Sequence, residues 1–200
     1  MTHIGRGEKV FNMKRLFLIL ILTLSFQSWT KADDIREFEI EGISIGDSLL
    51  DFFNKNKIKP IFYPKSKKFA RSVHMIDNGT YEAVRINYKT KDKRFTIYGI
   101  GGMIKMNIED CYKKEKIIIK EIEAQFPNAR KKPTRKLIHK SDSTGKSVYN
   151  FTSFIFNDGT INIECTDWSN DITSKRGWGD GLAVMINTNE YNKWLQYDAR

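Results

Sequence analysis

The feature that most constrains the fold is an amphipathic run, Ile108 to Phe126, which carries one of the two cysteines of this 200-residue chain. Asn107 can cap a helix at its start, and Pro127 ends the run because proline cannot continue a helix. The apolar residues recur at three- and four-residue steps, the spacing of one helix face: Ile108, Cys111, Tyr112, Ile118, Ile119, Ile122 and Phe126. The pattern predicts a helix whose buried face includes Cys111.

The first 32 residues have the layout of a secretory signal peptide. Two basic residues precede an eleven-residue apolar run, Leu16 to Phe26, and Ala32 ends a short polar stretch as the cleavage position. A membrane-spanning helix needs roughly 20 apolar residues, so an uncleaved membrane anchor is the less favoured alternative. We expect residues 1–32 to be an N-terminal extension and signal peptide, residues 33–200 to be a single domain, and the protein to be periplasmic or secreted.

The composition is that of a globular domain, with 40% hydrophobic and 29% charged residues. Residues 1–32 hold five of the 34 basic residues and one of the 24 acidic residues, which leaves a net charge of +6 on the remainder. This basic bias is mild. Export argues against nucleic acid as the partner, and residues 130–146 lack the interleaved aromatic side chains that single-strand binding uses.

A hairpin is predicted around Asp158-Gly159, a pair typical of two-residue type I′ turns. That turn would pair Phe154 with Ile163 and Thr152 with Cys165 on one apolar face of the sheet. The hairpin face that carries Cys165 would then be covered by the predicted helix.

A disulfide between Cys111 and Cys165 is the prediction that joins these two elements. An exported protein meets an oxidising compartment, and neither cysteine lies in a CxxC pair or a metal-like cluster. Two free buried thiols are the alternative.

The remaining elements favour the α+β class. A helix is expected from Asp47 towards Lys59, a hairpin from Val84 to Ile97, and a final strand and short helix that bury Tyr191 and Trp194. Neighbouring strands without regular strand-helix-strand alternation predict an antiparallel sheet with two main helices on one face, in addition to the signal-peptide helix.

Two resemblances accompany these patterns. The strand, glycine and capped helix from Ile43 to Phe53 resemble the start of small envelope proteins such as the outer-membrane assembly lipoproteins, although the lipid-attachment cysteine of that family is missing. The whole chain, with its lysine- and isoleucine-rich part behind a short signal, resembles small exported bacterial proteins of no characterised family. These resemblances imply an envelope location.

Two segments are candidate contact sites. The most basic segment, residues 130–146, is interpreted as a solvated loop or a contact with an anionic envelope surface, through Arg130, Lys131, Lys132, Arg135, Lys136 and Lys140. A glycine-containing polar loop, residues 169–181, could hold a sugar or a partner protein, and the alternative is that its tryptophans only pack the fold. Its candidate residues are Asp167, Trp168, Asp171, Arg176, Trp178 and Asp180.

No catalytic, metal or cofactor site is predicted. His74 and His139 lie in polar surroundings outside any catalytic motif and are interpreted as solvated. We therefore expect a non-enzymatic binding module whose partner is unknown, for example an anionic envelope surface or another envelope protein. A small exported hydrolase with an unrecognised site is the alternative.

Overall fold

The computed structural model describes residues 34–199. The predicted signal peptide lies outside these residues. Ten strands are present among them: Glu39–Ile40 (β1), Ile43–Ser44 (β2), Ile61–Phe62 (β3), Phe69–Met75 (β4), Ala83–Lys89 (β5), Ile97–Lys105 (β6), Arg130–Ile138 (β7), Val148–Ile155 (β8), Gly159–Asp167 (β9) and Gly181–Thr188 (β10). The α-helices are Leu49–Phe52 (α1), Ile108–Gln125 (α2), Asn170–Arg176 (α3) and Asn189–Tyr197 (α4), with single 3-10 turns at Ile35–Glu37 and Lys55–Lys57.

Strands β3 to β10 form one eight-stranded sheet in the order β3-β4-β5-β6-β10-β9-β8-β7. Every neighbouring pair in it is antiparallel. The sheet therefore consists of two four-stranded meanders that meet where β6 pairs with β10. Helix α2 connects one meander to the other, so the α+β class with an antiparallel sheet is confirmed.

Helix α2 begins and ends where the sequence predicts. The Asn107 side chain accepts a hydrogen bond from the backbone N–H of Asp110 at 2.9 Å, which satisfies one of the free amides at the helix start. The buried side of α2 covers one face of the sheet, here called the α2 face, whose core includes Ile86, Ile100, Ile161 and Ile163.

The predicted disulfide is present between Cys111 at the start of α2 and Cys165 in β9. Their Cα atoms are 5.8 Å apart and both residues are fully buried. The bond ties the first turn of the helix to the α2 face, and it indicates a non-reducing environment.

The predicted register of the β8–β9 hairpin is wrong by two residues. Phe154 pairs with Ile161, and Cys165 with Asn150. The Phe156 backbone N–H donates a hydrogen bond to the Gly159 carbonyl at 2.9 Å, so the turn is at Asn157 and Asp158 instead of Asp158 and Gly159. Gly159 lacks the positive φ that a type I′ turn requires. It lies so close to β10 that a Cβ atom would be 2.2 Å from the carbonyl oxygen of Asn187. Because side chains alternate with period two, the shift leaves each one on its predicted face.

The helix predicted after Asp47 is only the single turn α1. The prediction that two main helices pack on one face of the sheet is also wrong. Ser48 caps α1 and its hydroxyl also donates to the carbonyl of Arg94, so the turn before β6 holds this segment. The second long helix, α4, packs on the opposite face of the sheet, here called the α4 face. There Asn192 donates a hydrogen bond to Thr160 at 3.0 Å.

The basic segment, interpreted above as a loop, is mostly the edge strand β7. Among the strands of residues 34–199 it pairs only with β8, and the ladder is irregular between Lys132 and Arg135, where Pro133 lies. Proline is tolerated on an edge because its missing N–H interrupts no inner ladder. Exposed lysines and arginines on such a strand oppose pairing with another chain.

Candidate functional site

A groove of about 600 Å³ lies on the α4 face, over the centre of the sheet. Its floor includes a row of directly paired residues that crosses five strands: Met75, Ala83, Met103, Ala183 and Glu164. Neighbouring strands are about 4.8 Å apart, so this row is roughly 19 Å long. The groove therefore runs across the strands.

Small and flexible side chains keep the floor of the groove low. Gly181 approaches β6 so closely that a Cβ atom would lie 2.4 Å from the carbonyl oxygen of Ile104. Met103 and Met185 are half-buried and line the groove beside Ala183. Methionine side chains have three rotatable bonds and a polarisable sulfur, so such a floor can adapt to different apolar surfaces.

Aromatic side chains form one wall of the groove. The rings of Trp168 and Trp178 have centroids 4.7 Å apart, and the imidazole of His139 lies 4.2 Å from the Trp168 ring. The Trp168 backbone N–H donates to Asp180 at 2.7 Å, which fixes the segment that follows Trp178. Trp178 is 37% exposed, so its ring is available to a ligand.

Asp142 holds the segments that carry this wall in place through hydrogen bonds. Its buried carboxylate accepts hydrogen bonds from the hydroxyls of Thr144 at 2.7 Å, Ser147 at 2.6 Å and Ser169 at 3.0 Å. The bonds from Ser147 and Thr144 hold the pKa of Asp142 far below its usual range. The carboxylate therefore stays charged and ties the loop after His139 to the residue before α3. The sequence showed Asp142 only as the single acid of a basic segment.

Charged groups line the groove at both ends. Arg85 lies on β5 and Glu164 on β9, and they form no ion pair with each other. Burial, followed by the charge of Arg71, lowers the pKa of Arg85, and Glu164 opposes that shift. The groove thus offers a half-buried cation and an acid along an apolar floor.

The predicted Trp loop is mainly the short helix α3, which Gly177 ends in a left-handed conformation with φ of 68°. Of its candidate residues, Trp168, Trp178 and Asp180 line the groove. Arg176 stacks on Trp178, with 4.7 Å between its guanidinium carbon and the ring centroid.

Two other candidate residues lie away from the groove. Asp167 alternates with Thr166 and so points to the α2 face. Asp171 pairs with Lys146 at 3.2 Å. The structure thus brings only part of the predicted set together.

The candidate anionic-contact residues do not share one face. Lys131 and Lys136 point to the α2 face, opposite Phe154 and Asn150, whereas Lys132 and Arg135 point to the α4 face. Arg130 begins the same strand, and Lys140 follows it. The positive charge therefore surrounds an edge instead of covering a flat surface.

The interpretation of both histidines as solvated is wrong. His74 is 8% exposed and stacks on Phe53 with ring centroids 3.8 Å apart, because its β4 position faces the segment that follows α1. Burial lowers its pKa. His139 is half-buried against Trp168, and burial lowers its pKa too, although Glu164 and Asp142 oppose the shift.

Among residues 34–199, no group of three or more His, Cys, Asp or Glu side chains is placed to hold a metal ion. None of the helices in this part of the chain is long and apolar enough to cross a membrane. Comparisons with family models, curated proteins and solved structures found no match. This agrees with the expectation that no characterised family accounts for the chain.

Proposed function

We propose that the protein is an exported, non-enzymatic module that binds an amphipathic helix of a partner protein in the groove on the α4 face. The observation that carries this proposal is the groove itself, with its methionine and alanine floor and the exposed Trp178 on its wall. Hydrophobic grooves that take an amphipathic helix are a recurring mode of peptide recognition.

The position of the groove favours a helix over an extended strand. Apart from Met75 on β4, which β3 covers only at Ala70 and Arg71, the floor lies on four inner strands, β5, β6, β10 and β9, and each of these is paired on both sides. A partner strand would find no free backbone edge there, whereas a helix satisfies its own backbone groups. Contact must therefore be made through side chains.

The dimensions also fit a helix. Along the strands, one side of the floor is marked by Arg85 and Met185 and the other by Lys105 and Gly181. The two sides are four residue steps apart, or roughly 13 Å at about 3.3 Å per residue. An α-helix with side chains is about 10–12 Å across, and a 19 Å groove matches about 13 helical residues. One helix of three to four turns would fill the groove.

The side chains suit such an occupant. Trp178 provides a large apolar surface with a polar N–H, a combination that often dominates binding energy. Met103 and Met185 can adjust to the apolar side of the helix. The basic edge strand β7 would attract an acidic partner electrostatically, and its charges on both faces suit steering more than flat contact with headgroups.

Export remains part of the proposal. The disulfide between Cys111 and Cys165 supports a non-reducing compartment, and the basic and apolar pattern of residues 1–32 supports a route to it. N-terminal sequencing of the mature protein from the cell envelope tests this part. A chain that still begins at Met1 or Met13 would contradict cleavage after Ala32.

Selection from a displayed library of amphipathic helical peptides tests the binding function, with methyl NMR of labelled methionines as the readout. The selected peptides should shift the methyl signals of Met75, Met103 and Met185, which line the groove. Met106 is an internal control because it packs against the core of the α2 face.

A pair of matched variants tests whether the groove provides the energy of peptide binding. Trp178→Ala should weaken binding by about tenfold or more, because truncating a central aromatic anchor typically costs about 2 kcal/mol. Tyr197→Ala should leave it unchanged, since Tyr197 is exposed on α4 and does not line the groove. Peptides that bind both variants equally, or that shift only Met106, would contradict the proposal.

One observation bears on the hydrolase alternative. The Nε2 atom of His74 lies 3.0 Å from the hydroxyl oxygen of Ser72, a contact of the type found between a nucleophile and its base. Ser72 is only 1% exposed, so a substrate would need the segment around Phe53 to move. Turnover of an activated ester that is abolished by Ser72→Ala, but not by Ser66→Ala, would favour this alternative.

A further inference from the structure

Two arginines lie side by side on the α4 face, next to the groove. Arg71 on β4 pairs with Asn87, and Arg85 on β5 pairs with Val73, so the two arginines are diagonal neighbours on one face. Each long side chain can reach the other, and the positive charge of Arg71 disfavours that of Arg85. Two like charges this close raise the free energy of the fold unless something compensates.

The described residues provide only part of that compensation. Glu164 opposes the shift in the pKa of Arg85, Nη2 of Arg85 contacts the Met185 sulfur at 2.5 Å, and the Arg71 guanidinium lies 5.2 Å from the centroid of the Tyr63 ring. Neither arginine forms an ion pair with an acid of residues 34–199. Arg71 donates one hydrogen bond, from Nη2 to the Tyr63 hydroxyl at 2.8 Å, while its buried Nε has no partner. Buried polar groups without a partner are rare in folded proteins, so the described residues leave the guanidinium group of Arg71 incompletely satisfied.

A small cavity adjoins the two guanidinium groups. Its volume is about 60 Å³ and both arginines line it, together with Asn87, Asn187 and Tyr191. This cavity volume is about twice the volume that one water molecule occupies in the liquid. It is close to the size of a carboxylate group. Arg85 and Met185 line both this cavity and the groove, so the two spaces are adjacent.

We propose that Arg71 and Arg85 bind a carboxylate, and that in the complex this carboxylate belongs to the helix in the groove. The planar guanidinium group donates two parallel N–H bonds, a geometry that matches the two oxygens of a carboxylate. The anion would also neutralise the repulsion between the arginines. The origin of the carboxylate rests on the proposed function, whereas the site itself does not.

Acetate and inorganic phosphate are the probes that test the site. Each is titrated at constant ionic strength into labelled protein, with chloride as the reference salt, while the Nε–H signals of Arg71 and Arg85 are followed by NMR. Acetate should shift both signals with saturation. Lysine variants keep the charge but lose the planar fork, so Arg71→Lys and Arg85→Lys should each weaken acetate binding by about tenfold or more.

Arg94→Lys is the matched control, because Arg94 is exposed and remote from the cavity. It should leave the acetate affinity unchanged. If Arg71→Lys fails to fold, as judged by circular dichroism, Arg85→Lys alone decides. Equal shifts with chloride, or unchanged affinity in the lysine variants, would overturn the site. Tighter binding of phosphate than of acetate would overturn the assignment to a carboxylate.

The Trp178→Ala variant separates this inference from the proposed function. Trp178 lines the groove but not the cavity, so this variant should weaken peptide binding as above and leave acetate binding unchanged. Acetate binding without any groove-binding peptide would support the site and contradict the proposed function. Peptide binding that is insensitive to Arg71→Lys and Arg85→Lys would contradict the carboxylate contact while leaving the function in place.

Discussion

Removal of the disulfide between Cys111 and Cys165 should lower the free energy of unfolding by about 4 kcal/mol. The two cysteines are separated by 54 residues, and a loop of that length gives about 14 cal/mol/K of lost chain entropy in the unfolded state, or about 4 kcal/mol at 25 °C. This is a large share of a typical stability of about 5–15 kcal/mol. The domain should nevertheless remain folded, because α2 still buries Ile119 and Ile122.

Urea unfolding of the same protein with and without a phosphine reductant measures this difference. Both sulfur atoms are fully buried, so the reduced sample must be unfolded in reductant and then refolded. The two forms differ only by two hydrogen atoms, and packing losses therefore do not confuse the comparison. The reduced form should also melt lower by roughly 8–16 °C, since each 1 kcal/mol shifts the melting temperature by about 2–4 °C in a domain of this size.

A stability loss below about 1 kcal/mol would refute the reasoning. It would mean that the reduced unfolded chain already keeps the helix and hairpin close, so that the bond restricts little. Complete unfolding on reduction would also refute the reasoning, because the core of the α2 face would then be insufficient to keep the domain folded without the disulfide.

Three further predictions concern packing, pH and charge. Gly159→Ala should lower the free energy of unfolding by about 1–3 kcal/mol, because the added Cβ would meet the neighbouring backbone. The control is Gly179→Ala, whose Cβ would have no atom nearer than 3.8 Å and which should be neutral in the same urea assay. Because burial lowers the pKa of His74 in the fold, protonation favours the unfolded chain, and stability should fall as the pH drops through about 6.5; unfolding curves of His74→Gln should show a shallower fall. The basic residues of β7 should bind anionic vesicles weakly, and this binding should disappear at high salt as the Debye length falls below about 10 Å. The double variant Arg135→Glu/Lys136→Glu should not bind. Equal binding to neutral vesicles would contradict a charge contact.

Local patterns determined the elements whose signals lie close together in the sequence. The capping Asn107, the helical spacing and Pro127 were sufficient for α2, and alternation was sufficient to place Phe154 and Cys165 on the buried face. The disulfide followed because both inferences concern faces, which a shift of two residues does not change.

Register, edges and short helices were decided by tertiary contacts. The β8–β9 connection depends on the close approach of Gly159 to β10, which no local pattern reveals. Six of the nine residues of strand β7 are polar or charged, and its two aliphatic residues, Leu137 and Ile138, are adjacent. It therefore has no alternation to detect, and only pairing with β8 makes it a strand. The buried position of His74 likewise depends on Phe53, which lies 21 residues away in the sequence.

The sequence by itself determined the helix, the disulfide and the tryptophans that form the groove wall, because each is marked by neighbouring residues. Only the tertiary structure decided the groove floor and the arginine pair. Met75, Met103 and Glu164 come from three different strands, and nothing in the local sequence of one strand specifies which residues of the others lie beside it. Surface features of this kind are properties of the sheet order and register, which are fixed by the packing of the whole domain.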